Sequence, residues 1–327
     1  MKIVNEDIEI SSDLKRIFSF FFSFLCLILI WKSIELYVAS YYVNSPYKLI
    51  FEGFSNVLGA VIGIGLVIVS FKFSPIKKPV RLIQVIKIKP LKVQELFVIL
   101  IIIILSLPIV HLLGDIGKPF FDNSVNRGFD KIALEFPFFM VIFWGAICGP
   151  IAEELIFRGY VLNSFQYFHP VASISVTVMS FSIFHFNSYQ ALYTIPTSIV
   201  FTLVAFYTQN LMASISAHIF NNFLAFVLSK YLPNLELGVW YLVIPCTVMG
   251  IYLLYRMGKS YVKYTYVPLK LRDIMFPMLF LITFILLAVF AVKEKSLLYF
   301  LIIPILGLLI YQLYAKFRVN VQKNINF

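Results

Sequence analysis

The chain has 327 residues, of which 61% are hydrophobic and only 13% charged, with a formal net charge of +11. Soluble domains hold about 45–50% apolar and about 25% charged residues, so this composition excludes an ordinary soluble globule and indicates a polytopic membrane protein. No polar surface of interleaved basic and aromatic residues is present, which argues against nucleic acid as a partner. The excess positive charge instead fits cytoplasmic loops.

A spanning helix needs about 20 mostly apolar residues, and about ten runs of that kind follow one another along the chain. They start near Ile17, Asn56, Leu96, Pro137, Val171, Ala191, Leu211, Leu237, Ile274 and Leu297. The first carries Lys32 and Glu35 and no small-residue cleavage site, so it reads as a retained helix and not a signal peptide. Between the second and third runs lie Lys72, Lys77, Lys78, Arg81, Lys87, Lys89 and Lys92; after the eighth come Arg256, Lys259, Lys263, Lys270 and Arg272. The positive-inside rule places both basic segments, and with them both termini, in the cytoplasm. The shortest run is expected between Ala191 and Tyr207. Cys26, Cys148 and Cys246 are scattered through apolar runs with no paired spacing, so no disulfide framework is expected.

The fold class expected is all-α: a transmembrane bundle of about ten spans with a central block carrying polar residues. Three regions are expected: N-terminal helices with their basic cytoplasmic loop over 1–136, a core over 137–230, and C-terminal helices over 231–327. The Phe, Ile, Lys and Asn bias suggests a bacterial plasma membrane.

Within residues 137–229 the only acidic, basic or imidazole side chains are Glu153, Glu154, Arg158, His169, His185 and His218. A charge at the bilayer centre costs roughly 2.5–3.5 kcal/mol on insertion scales, so such residues usually mark function. Glu154 and Arg158 are four apart and stack on one helix face as an ion pair. Glu153 points about 100° away. His185 lies one turn beyond Phe181, and Asn222 one turn beyond His218. Three helices can thus each present a polar face to one cavity. A carboxylate and an imidazole converging there can activate water, while a second imidazole and a carboxamide can donate to the oxyanion formed at a peptide carbonyl. Pro150, preceded by Gly149 and Gly145, gives the glutamate helix a reason to kink. His111 and His169 lack this spacing and read as interfacial packing. Counted from Val171, His185 would lie too deep to meet His218 unless the helices tilt or the fifth run begins later, and a later start is expected.

Glu-Glu-x-x-x-Arg at Glu153–Arg158, Phe-x-x-x-His at Phe181–His185 and His-x-x-x-Asn at His218–Asn222 resemble, in order, the three motifs of the CPBP family. That family contains the type II CAAX prenyl endopeptidases and the bacteriocin-processing or self-immunity (Abi) proteins. The resemblance implies a helical intramembrane endopeptidase in which Glu153 and His185 activate water and His218 and Asn222 stabilise the oxyanion. Glu154, Arg158 and Phe181 would support the site. No cofactor is expected; a zinc version would use Glu153, His185 and His218 as ligands. The expected partners are membrane lipids and a peptide or membrane-protein substrate, in peptide maturation, signalling or bacteriocin self-immunity. A non-catalytic membrane scaffold or immunity protein is the main rival. A solute transporter would need matched inverted repeats, and none is evident in the sequence.

Overall fold

The computed structural model describes residues 88–121, 136–162, 169–185, 187–232 and 235–261, with Phe54, Leu58 and Val61 as single helical positions. These residues form six helices and no strand: α1 (Val93–Gly117), α2 (Phe138–Val161), α3 (Pro170–Phe184), α4 (Ser188–Thr208), α5 (Leu211–Tyr231) and α6 (Trp240–Tyr261). All but α3 are long and apolar enough to cross a bilayer. The apolar runs starting near Ile17, Ile274 and Leu297, and nearly all of the one near Asn56, lie outside the described residues, as do Lys72–Lys87 and both termini.

The six helix starts fall within about three residues of those read from hydropathy. Two expectations need correction. Among the described residues the shortest helix is α3, with 15 residues, and not the run beginning near Ala191, which forms a 21-residue helix. Asn187 is the reason: its side chain accepts from the Gln190 backbone N–H at 2.8 Å and caps α4, which fixes the start of that helix at Ser188. At 1.5 Å per residue α3 is about 22 Å long, short of the roughly 30 Å hydrocarbon core. Nor does α3 begin later than Val171. It starts at Pro170, where the carbonyl of His169 accepts from Ala172 N–H at 2.9 Å and the His169 ring accepts from Val171 N–H at 3.3 Å. His169 is thus a helix cap. The meeting of His185 with the other motif residues comes from how the helices lie against one another.

Sequential helices alternate in direction. At one end, Asn210 touches Lys89, and the backbone at Gly258 lies against the Tyr207 ring. At the other, Gly117 lies against Tyr189, Gly238 against Asp115, and the Phe138 ring against Tyr231. The first end collects Lys89, Lys92, Arg256 and Lys259, all exposed. Near it a core forms from Ile99, Ile102 and Ile103 of α1, Val200, Phe201 and Val204 of α4, Ala213 and Ala217 of α5, and Leu254 and Met257 of α6. The outward face of α1 is apolar too, with Phe97, Ile101 and Ile104 exposed one turn apart, as lipid contact requires.

Asn210 is the hinge pin of the basic end. Its Oδ1 accepts from Met212 N–H at 3.1 Å, capping α5, and from Lys89 N–H at 3.1 Å; its Nδ2 donates to the Lys89 carbonyl at 2.9 Å. Loss of the cap costs about 0.5–2 kcal/mol, and each lost hydrogen bond adds about 0.5–1.5 kcal/mol. Asn210→Ala is therefore expected to lower the unfolding midpoint in detergent and to raise amide exchange at Lys89 and Met212 together. Exchange mass spectrometry checks this; unchanged protection at Lys89 counts against the clamp.

Candidate active site

Helix α2 carries both glutamates on a short α-helical stretch, Gly149–Glu154, between two π-helical segments, Ile142–Cys148 and Leu155–Val161. The π geometry places an extra residue in a turn, and such bulges recur at functional sites. Pro150 explains the first. A proline in the helix interior has no N–H to give, and here Gly149 N–H turns back to the Trp144 carbonyl, five residues before it. Gly145 lets α5 come close: a Cβ there would meet the Phe226 ring at 2.8 Å. Gly145 thus acts as the small residue that admits a neighbouring helix.

Glu154 and Arg158 form the expected pair, Nη1 to Oε1 at 2.7 Å, with both side chains wholly buried. The guanidinium is held on every side. Nη2 donates to the Ser198 carbonyl at 3.1 Å and its hydroxyl at 2.9 Å, and Nε donates to the Thr202 hydroxyl at 3.3 Å. Its faces lie over the rings of Phe181 at 4.6 Å and Phe201 at 5.4 Å.

The same Glu154 Oε1 lies 2.9 Å from Nδ1 of His218. A carboxylate paired with arginine is ionised and only accepts, so His218 Nδ1 carries the proton. On the other side of the ring, Nε2 of His218 faces Oε2 of Glu153 at 3.9 Å. The two adjacent glutamates therefore live differently: Glu154 is sealed, while the Glu153 side chain is 20% exposed. Phe201 fixes the ring plane of His218 by stacking on it at 4.6 Å and 24°.

Phe181 joins the remaining pieces. Its ring meets Arg158, His218 at 5.7 Å and His185 at 4.9 Å. His185 Nδ1 lies 2.9 Å from the Phe181 carbonyl. A carbonyl only accepts, so this imidazole too keeps its proton on Nδ1 and turns Nε2 away from its own helix. Asn222, partly buried, donates from Nδ2 to the Gly145 carbonyl at 3.1 Å and accepts from Asn221 at 3.2 Å.

The structure thus gathers Glu153, Glu154, Arg158, Phe181 and His218 directly, brings His185 alongside through Phe181, and joins Asn222 to the glutamate helix through Gly145. In both imidazoles Nδ1 is bonded within the protein, which leaves Nε2 as the nitrogen a metal would use. Even so, among the described residues no three carboxylate, imidazole or thiol groups are gathered as a ligand set. His111, half-buried on α1, belongs to none of these contacts. Ser198, Phe201 and Thr202 escaped sequence reasoning because they belong to no motif. A signal existed: Thr194, Ser198 and Thr202 recur every four residues, a hydroxyl stripe on an apolar helix.

Residues 135–224 match the family model described as Type II CAAX prenyl endopeptidase Rce1-like. The matched segment contains every motif residue, in keeping with the CPBP resemblance, and the family is one of proteases. No curated protein and no solved structure matches the chain.

Removing one partner of a buried ion pair typically costs about 3–5 kcal/mol. Arg158→Met is expected to destabilise the protein by that order, and Arg158→Lys to recover little, since an ammonium cannot span Glu154, Ser198 and Thr202 together. Pairing Arg158→Met with Glu154→Gln should restore part of the loss. Unfolding midpoints in detergent test this; a fully stable Arg158→Met protein would contradict it.

Proposed function

We propose that the protein is an intramembrane endopeptidase whose nucleophile is a water activated by Glu153. The observation that carries this reading is the division of labour between adjacent carboxylates: Glu154 is consumed by Arg158 and His218, while Glu153 is partly exposed and faces His218 Nε2 at 3.9 Å. A general base must reach its water, and a sealed carboxylate cannot.

In this mechanism Glu153, with Nε2 of His185 helping to hold the water, takes one proton as the water oxygen attacks the peptide carbonyl. The tetrahedral intermediate needs donors for its oxyanion. Asn222 supplies an amide hydrogen. His218 donates from Nε2 when that nitrogen carries a proton, and Glu153, whose Oε2 lies 3.9 Å away, would pass it the proton taken from water as the two close up around the substrate. Glu154, already bonded to Nδ1, stabilises the imidazolium that results. The proton then passes to the leaving amine as the C–N bond breaks. No step is routed through a metal.

The substrate class follows from placement. The site lies among spanning helices, and the basic end with Lys89, Lys92, Arg256 and Lys259 faces the cytoplasm by the positive-inside rule. Peptides or membrane-protein segments entering from the cytoplasmic leaflet are the substrates this placement supports, consistent with maturation of a secreted or signalling peptide, or with self-immunity.

The test is mass spectrometry of candidate peptides incubated with purified protein. General-base assistance contributes about 10²–10⁴-fold, so Glu153→Gln is expected to reduce cleavage by at least 10²-fold with normal membrane insertion, and His185→Ala and His218→Ala to follow. Chelator is expected to leave the wild-type rate unchanged. Full biological effect in all three variants would point to a scaffold in place of an enzyme, and loss on chelation to a zinc protease.

A further inference from the structure

The carbonyl of Gly145 lacks both of its regular helical donors. In α geometry its partner would be the N–H of Gly149, but that group bonds to the Trp144 carbonyl. In π geometry it would be the N–H of residue 150, which is proline and has none. At membrane depth an unpaired carbonyl costs several kcal/mol, so something outside the helix must answer it. Asn222 does so, with Nδ2 donating to that oxygen at 3.1 Å across the α2–α5 interface.

We infer that Asn222 is a positioning residue for the glutamate helix: by capping the carbonyl that Pro150 orphans, it holds the bulged α2 in the register that aims Glu153 at His218. The contact sits one turn from His218 on α5 and eight residues before Glu153 on α2, so it spans the two elements whose relative placement sets the 3.9 Å separation. Gly145 makes it possible, because the missing Cβ admits the Phe226 ring and lets the helices close on each other. Were the bulge to relax to a continuous α-helix, residues beyond it would turn by about 100° relative to α5. Glu153 would then leave the site. The role is additional to donation toward the reacting carbonyl, since a carboxamide nitrogen has two hydrogens. It rests on the hydrolytic reading only where a rate is measured.

A double-mutant comparison in the full-length protein tests it. Pro150→Ala returns an N–H to position 150, so it supplies from within α2 the donor that Asn222 supplies from α5. Asn222→Ala is expected to lower the unfolding midpoint in detergent by several degrees in the native background and by much less when Pro150→Ala is present. Peptide cleavage should show the same coupling. Displacement of a catalytic group by about 1 Å can cost 10²-fold; Asn222→Ala is expected to lose that order in kcat with KM unchanged, and the double variant to regain at least tenfold. Should Asn222→Ala fail to fold, rescue of folding by Pro150→Ala is the same positive result. Equal losses in both backgrounds, in midpoint or in folding, would overturn the inference. A kcat loss that Pro150→Ala does not touch, with no change in midpoint, would leave Asn222 as an oxyanion donor alone. The unfolding measurement decides the point even if no peptide is cleaved.

Discussion

One oxygen, Oε1 of Glu154, ties the site together. It accepts from Arg158 at 2.7 Å and from His218 at 2.9 Å, and so binds the middle of α2 to α5 at a depth where water does not compete. Arg158 extends the link to α4 through Ser198 and Thr202, and to α3 through the face of Phe181. A lone charge in that position would be expelled. The pair is neutral overall and every polar atom of the guanidinium has an acceptor, so it serves as the fixed point from which the accessible carboxylate, Glu153, is aimed.

The pairing of the motif residues was legible in the chain because helical spacing is a geometric rule. Glu154 with Arg158, Phe181 with His185, and His218 with Asn222 are each four apart, and each pair shares a face as expected. The starts of α1 to α6 followed from hydropathy, since bilayer thickness dictates run length. What sequence could not give was rotation and offset between helices. Spacing from Arg158 told the two adjacent carboxylates apart, but only the packing of α5 against α2 shows that Glu154 is sealed against His218 while Glu153 stays partly exposed.

The errors have physical causes of their own. Hydropathy does not see caps, and Asn187 shortened α3 by claiming the start of α4. Aromatic and hydroxyl residues on α4 look like ordinary membrane filling, so Phe201, Ser198 and Thr202 drew no notice although they fix His218 and Arg158. The bulges were half visible. Pro150 after two glycines announced a disturbed helix, but how the Gly145 carbonyl would be answered depends on a residue 77 positions from that glycine, Asn222.

The clamp at the basic end has a property of a different kind. Both bonds that Asn210 makes to position 89 go to main-chain atoms, N–H and carbonyl, so they ignore which side chain stands there. Pro90 favours an extended backbone in the residue before it, which suits such two-sided recognition. The lysine itself is therefore exchangeable as far as the tether is concerned. Evolution can rewrite the charge at this membrane boundary without loosening the fold, provided it never installs a second proline in tandem.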